Sequence, residues 1–470
     1  MKKKYAFFAV IIIISILIAG IYGYFVFFGA SPYAPYFLSN LMAPSSQIRD
    51  FNKDDRILIV APHPDDEVLS AGGIIQRAEA AHAKVKVLYL TYGDHNTPAF
   101  WAYRKQPLIS PSEYRKMGEV RRQEAVNGTE VLGLSLKDLI FLGYPDFETL
   151  DIWEHYWNTN KAIFDMTTAT SSVPYKDAFR YGAKYNSIEI LDDFKTVFKD
   201  FDPTIVIYPS PFDQNPDHQS ASMFTKVTLL SLNEHPYELQ YIVHQWNFPK
   251  PQFYNPFSYI LPPASFKNLP IEYKNFNLND SEESKKYDAL LQYKSQRAKG
   301  NKPFFLVSFV RKNEPFFNEQ KSFALQNSAV YCFLPSDFLF GRLGKGFEIR
   351  NVDISLEGRD NMRVSIVLSR DLDVGSLLRI YMFPYCRNTD FAQTPKFLIE
   401  IENGKQLKVE DIVEGKVINN NIKMNINGSK IDLLIPVKLI GCADEFFLHF
   451  EGGYVDLGLY KTPWQVFQLR

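Results

Sequence analysis

One imidazole and three carboxylates stand within five positions at His63-Pro64-Asp65-Asp66-Glu67. Carboxylates gathered in a buried place are costly without a compensating cation. His63 and Asp66 are three apart, a spacing that lets both bind one metal ion and leaves Asp65 beside them, pointing elsewhere. A second set of the same residue types follows at Asp213-Gln214-Asn215-Pro216-Asp217-His218. The bland alternative is a surface turn whose acids are merely solvated. The apolar strand before the first set, the glycine-bearing helix after it and the matching second set all weigh against that.

The flanking residues say how these groups are held. Ile57-Leu58-Ile59-Val60 is a short apolar run closed by Pro62, which reads as a buried parallel strand. Val68 to Ile75 reads as the start of an apolar helix, with Gly72 and Gly73 letting it pack close to the sheet. Thr204-Ile-Val-Ile-Tyr208 is the strand that delivers the second set, and a helix follows from His218. In an open α/β sheet ligand sites lie outside the carboxyl ends of the strands, where both sets would stand. Val85 to Thr91 is a further strand, and the turn after it brings His95 toward the same edge. Ser110-Pro111-Ser112-Glu113 is a helix start, with Ser as cap, Pro at the first position and Glu three beyond the cap. That helix runs to Leu132, stops at Gly133, and carries Arg121 and Glu124 on one face, as a structural ion pair or a substrate contact.

Asp138 to Leu142 is another strand, ending at Gly143-Tyr-Pro-Asp146. The irregular stretch Phe147 to Tyr185 is rich in Trp and Tyr; it reads either as a lid offering aromatic faces to a sugar or as a loop packed on the domain. Ser187 to Phe201 is a helix, and Tyr241-Ile-Val243 ends a strand that brings His244 and Trp246 near the pocket. A helix over Glu282 to Arg297 and a strand over Phe304 to Val310 would close the unit.

At this point the sequence resembles a family. Pro62-His63-Pro64-Asp65-Asp66-Glu67 is similar to the signature of the PIG-L (LmbE-like) zinc-dependent N-deacetylases, which remove acetyl groups from N-acetylglucosamine-type sugars. Asn215-Pro-Asp-His218, Arg121-Arg-Gln-Glu124 and Leu290 to Gln296 resemble its later elements, in order, over roughly Asp54 to Val310. The resemblance implies a Rossmann-like, mostly parallel sheet flanked by helices. It implies one Zn2+ on His63, Asp66 and His218, and Asp65 as general base. Asp217 or Asp213 would orient a motif side chain, and Arg121 would position the sugar. His95 is added as a residue that can approach the pocket. The family usually carries His where this chain has Asn215; Asn keeps a hydrogen-bond donor for an oxyanion and removes a proton source.

Length and composition set the rest. A chain of 470 residues exceeds one core at about 150 residues per domain. The net charge of −1 gives no reason to expect a nucleic-acid partner. Three cysteines, all in the last third, allow one disulfide at most. Lys2-Lys3-Lys4 before the apolar stretch Tyr5 to Phe28 reads as a retained transmembrane helix with its N-terminus inside, the alternative being a signal cleaved at Ala30. Residues 1–30 are thus expected to be a membrane anchor, 31–53 a linker and 54–315 the deacetylase-like α/β domain. Regular alternation over Phe347–Leu356, Arg363–Leu368, Ile422–Ile426 and Lys430–Pro436, with turns at Asn403-Gly404 and Asn427-Gly428, predicts a β-sandwich-like accessory domain over 322–470, separable from the chemistry. Three activities compete: an anchored deacetylase acting on an N-acetylated sugar or glycan outside the cytoplasmic membrane, at the periplasm or cell surface; a catalytically impaired sugar-binding protein on the same fold; and a phosphoesterase, disfavoured by the lack of ligands for a second metal.

Overall fold

The computed structural model describes residues 47–96, 110–263, 265–266, 269, 271–296, 304–319, 329–331, 347–358, 360–418, 421–441, 443–454 and 458–468. The expected membrane anchor lies outside these. Among the described residues no helix is long and apolar enough to cross a membrane.

Five parallel strands make the first layer: β1 (Arg56–Ala61), β2 (Lys84–Thr91), β3 (Leu139–Tyr144), β4 (Ile205–Pro209) and β5 (Tyr237–Tyr241), in the order β3-β2-β1-β4-β5. β1 is the centre, with Ile59 beside Val87 on one side and Ile207 on the other. Its residues from Ile57 to Ala61 are fully buried, as strands covered on both faces are. The order reverses at β1 and β4, the switch point at whose carboxyl edge ligands bind in such sheets. Helices α1 (Asp66–Ala80), α2 (Pro111–Leu132), α3 (Thr149–His155), α4 (Ser187–Phe201), α5 (Pro216–Leu232) and α6 (Asp280–Leu290) accompany the sheet. The expected α2 appears as read, with its Ser110–Glu113 capping box and Gly133 in left-handed conformation.

Three readings need correction. Gly72 and Gly73 do not serve contact with the sheet. A Cβ at Gly73 would stand 2.6 Å from Leu278 Cγ and one at Gly72 3.1 Å from Lys286 Cγ, so the glycines admit α6 and the segment before it. α1 is non-helical at Ala71, and the Gly73 and Ile74 N–H groups donate to the buried Glu314 carboxylate. Phe304–Val307 is a short helix, α7, not a strand; the strand comes later, β7 (Asn313–Glu319), paired antiparallel with β6 (Ile271–Asn277). A short apolar run does not by itself choose between helix and strand. The helix expected over Glu282–Arg297 ends at Leu290, and a single 3-10 turn follows at Lys294–Gln296.

The C-terminal part consists of two antiparallel sheets, as expected. One contains β8 (Ile349–Glu357), β9 (Asn361–Leu368) and β12 (Lys430–Pro436); the other centres on β10 (Ser376–Tyr385) and β13 (Glu445–Tyr454), with β11 (Phe397–Glu402) beside β10. Val352, Ile354, Val364 and Ile366 of the first sheet share a core with Leu378, Ile380, Ile399 and Leu448 of the second. The second sheet is buried on both faces. Tyr381 and Phe383 of β10 and Phe447 of β13 point the other way and join the core of the α/β layer.

That second face explains the aromatic stretch after β3. Trp153 and Trp157 are buried, and Trp153 packs on Phe391, Phe447 and Trp464 with ring centroids 5.9, 5.6 and 5.7 Å away. Trp464 Nε1 donates to Glu154 Oε1 at 3.1 Å. The lid reading fails for these tryptophans, which weld the α/β layer to the C-terminal sheets. The two layers therefore share a continuous core, against the expectation of a separable module.

Candidate metal centre

The β1 carboxyl end turns sharply at Asp65, whose φ of 130° lies outside the regions open to L-residues without strain. Asp65 occupies the cap position of α1, and its N–H donates to Glu67 Oε2 at 3.1 Å. Glu67 thus shapes the turn from below, held in place by the Tyr293 hydroxyl. Burial pushes the Glu67 carboxyl up to about 8, so near neutrality it is a protonated, structural group.

His63 and Asp66 come together as the spacing suggested. His63 Nδ1 is 3.2 Å from Asp66 Oδ2, which also accepts the His63 backbone N–H at 2.9 Å. His218, in the first turn of α5, brings Nε2 to 3.1 Å from the same Asp66 oxygen. Asn215 caps that helix, its side-chain oxygen accepting from the N–H of Asp217 at 2.8 Å and of His218 at 3.4 Å. The capping fixes the amide plane, and Asn215 Nδ2 makes no hydrogen bond among the described residues.

Behind the imidazoles stand further carboxylates. Asp217 Oδ2 and Asp146 Oδ1 each lie 3.1 Å from His63 Nε2, and Asp213 Oδ2 lies 3.2 Å from His218 Nδ1. Carboxylates on the far nitrogen set the tautomer and orientation of a metal-binding histidine. Asp213 also accepts the N–H groups of Val243 and His244, at 2.8 and 2.9 Å, and so fixes the loop after β5.

That loop supplies His244, which sequence reasoning placed near the pocket but not among the ligands. Its ring centroid is 4.7 Å from that of His218, and one ligand atom each from His63, Asp66, His218 and His244 falls within a 4.8 Å span. The signal was its place just past the strand end at Tyr241-Ile-Val243, at the same sheet edge as the other ligands; the strand was legible, but nothing in the chain paired His244 with His218. Asp146, at the end of β3, was legible as a strand-end residue only.

Whether a cation fits can be judged from the donors. Both His218 nitrogens and Asp66 Oδ1 are buried without a well-directed hydrogen bond, although carboxylates stand within ion-pair distance of the imidazole. Three imidazoles and a carboxylate around one point are a zinc-type donor set. Without a cation the cluster holds protons instead. Burial opposes charge on His218, but Asp213 and Asp66 outweigh it and raise its pKa to about 9. His63 is likewise raised well above its ordinary value, because Asp146, Asp217 and Asp66 together overcome burial. Desolvation and the neighbouring His218 lower the half-buried His244 to about 4, so it stays neutral. Burial raises Asp65 to about 7, with Arg121 pulling the other way.

Arg121 is 4% exposed and its guanidinium donates to Gly93 O at 2.7 Å and Pro64 O at 2.9 Å, with Asp65 Oδ2 at 3.4 Å. Gly93 has φ +65°, and a Cβ there would collide with Arg121 Nη1. Arg121 therefore braces the two loops and faces Asp65. Glu124 does not pair with it but accepts from Ser295 N and Oγ at 2.8 and 2.6 Å. His95 is tied to Asp146, its N–H donating to Oδ2 at 2.8 Å, and packs edge-on to Phe147.

Residues 58–229 match the family model described as PIG-L: GlcNAc-PI de-N-acetylase. The matched residues fall within the α/β layer. The matched residues contain His63, Asp65, Asp66, Asn215 and His218, while His244 lies beyond them. No curated protein matches the chain. Among solved structures, the chain is similar to the A40926 pseudoaglycone deacetylase Dbv21, with 17% identity over 56% of this chain and 96% of that one at a TM-score of 0.37. It is also similar to the N,N'-diacetylchitobiose deacetylase from Pyrococcus horikoshii, with 19% identity over 56% and 84% at 0.34. A third is the zinc-inhibited form of teicoplanin deacetylase Orf2, with 17% identity over 56% and 97% at 0.34.

Proposed function

We propose that the protein is a zinc-dependent N-deacetylase of an N-acetylated sugar or glycan. The observation that carries this reading is the meeting of His63, Asp66, His218 and His244 beside the strained, buried Asp65, at the switch point of a sheet whose sequence matches the PIG-L family model. His63, Asp66 and His218 would hold the cation, with His244 as a fourth donor. When bound, a divalent cation there polarises the acetyl carbonyl and acidifies the attacking water.

The chain supplies the remaining steps. Asp65, at a pKa of about 7, is ionised in a large fraction of molecules near neutrality and accepts the water proton as general base. Once protonated, the same carboxyl hands that proton to the departing amine, so the two transfers balance: acetate leaves and the sugar keeps a free amino group. This assigns to Asp65 the acid role that Asn215 cannot perform. Asn215, its oxygen pinned by the α5 N-terminus, directs Nδ2 at the developing oxyanion. Arg121 keeps Asp65 oriented by bracing the loops on either side.

The basic-then-apolar stretch from Lys2 to Phe28 supports a single-pass anchor, which would set the domains outside the cytoplasmic membrane. The activity is tested by incubating zinc-loaded protein with N-acetylglucosamine and its oligomers and measuring acetate. Acetate release that stops on chelation and returns with Zn2+ supports the proposal. Saturable sugar binding without acetate at any zinc level would instead favour the impaired, sugar-binding reading.

A further inference from the structure

The chain beyond His244 forms a groove that the chemistry above leaves unused. Gln245, Trp246 and Asn247 follow His244 directly, and with His244, Gln214, Gln252 and Phe305 they line a cavity of about 360 Å³. Gln214 is the neighbour of Asn215, and its N–H donates to His244 O at 2.7 Å, so the lining is tied to the metal centre through both residues. Trp246 is 63% exposed, and the Phe305 ring lies nearly parallel to His244, with centroids 6.1 Å apart at 17°.

The lining has a distinct chemistry. Among the described residues that line it there are four amide side chains and two accessible aromatic rings, and no Asp, Glu, Lys or Arg. Gln245 is 8% exposed, and its Oε1 is buried without a hydrogen-bond partner among the described residues. Aromatic faces cover the C–H faces of a pyranose, and amides exchange hydrogen bonds with its hydroxyls. A phosphate or carboxylate would call for Arg or Lys in this position. The volume is at the small end for ligand pockets, about 300–1,000 Å³, which suits one ring and not a lipid.

We infer that this groove is a second sugar subsite, holding the neutral pyranose joined to the N-acetylated unit, so that the protein acts on an oligosaccharide or glycan in preference to a free monosaccharide or a sugar phosphate. The inference rests on the deacetylase reading for its catalytic consequence, but the groove itself can be probed without turnover.

The experiment uses the zinc-loaded full chain with N-acetylglucosamine, its β-linked dimer and trimer, and N-acetylglucosamine 1-phosphate. Wild type should show kcat/KM at least about tenfold higher for the dimer than for the monomer or the phosphate. Trp246→Ala should remove that preference mainly through KM while keeping its metal, and Trp246→Phe should recover part of it. Equal kcat/KM for monomer and oligomers, or a preference intact in Trp246→Ala, overturns the inference. If no substrate releases acetate, the deacetylase reading fails on its own, and the groove is judged by fluorescence titration with the trimer. A saturable change in wild type that is lost in Trp246→Phe supports the sugar subsite. No change in either protein overturns it.

Discussion

Asp217 Oδ2 stands 3.1 Å from His63 Nε2, on the opposite side of the ring from Asp66, and also accepts the Phe147 N–H at 2.7 Å. One carboxylate thus orients a ligand from the first motif while anchoring the loop that leaves β3. Asp217→Asn should weaken Zn2+ binding roughly 10–100-fold without unfolding the protein. Competition with a chromogenic chelator measures this. Unaltered affinity would mean that Asp146 alone orients His63.

Metal affinity should depend steeply on pH. His218 is raised from 6.5 to about 9 in the metal-free protein, and His63 is raised as well. Such histidines stabilise the metal-free fold fully below their unfolded value, and His218 loses that contribution as pH rises from 6.5 through about 9. A cation competes with the same protons, so its affinity should climb by roughly one to two decades per pH unit in that window. Calorimetry in buffers of different ionisation enthalpy counts the protons released. Binding without proton release would exclude these histidines as ligands.

The welded layers make a stability prediction. A chain ending at Glu319 would uncover Trp153 and Trp157 and leave Glu154 without Trp464. It should aggregate or melt far below the full chain. The milder Trp464→Ala should cost about 3–5 kcal/mol, as large aromatic truncations in cores do. Denaturant unfolding of both proteins would show this, and a shortened chain with an unchanged midpoint would show that each layer folds alone.

How much the sequence disclosed depended on the reach of each interaction. β1, its turn and α1 were legible because an apolar run, a proline and a helix start are neighbours in the chain. α2 was read with its cap and its stop because Ser110, Glu113 and Gly133 act locally. The role of Trp153 was not legible, since its partners Phe391, Phe447 and Trp464 lie more than two hundred residues away, and an aromatic-rich loop fits a lid equally well. His244 joined the cluster only through Asp213, a contact across two strand ends. Arg121 shared a helix face with Glu124, yet Gly93 O, Pro64 O and Ser295 claim them separately.

Asn215 should act through its free amide nitrogen. Asn215→Ala should lower turnover about 10²–10³-fold, the usual loss for one oxyanion donor, with part of the deficit from the missing helix cap. Asn215→Asp keeps the cap acceptor and removes the donor, so it separates the two effects. Turnover in Asn215→Asp equal to wild type would place the residue outside the reaction.

The proton transfers converge on Asp65, and Asp65→Asn removes the base while preserving shape. The deciding measurement is single-turnover acetate release by this variant and by wild type, each shown by metal analysis to hold the same zinc. A fall of roughly 10²–10⁴-fold at equal metal content is the expected result. Equal rates in the two proteins would contradict the role assigned to Asp65 and, with it, the proposed deacetylation mechanism.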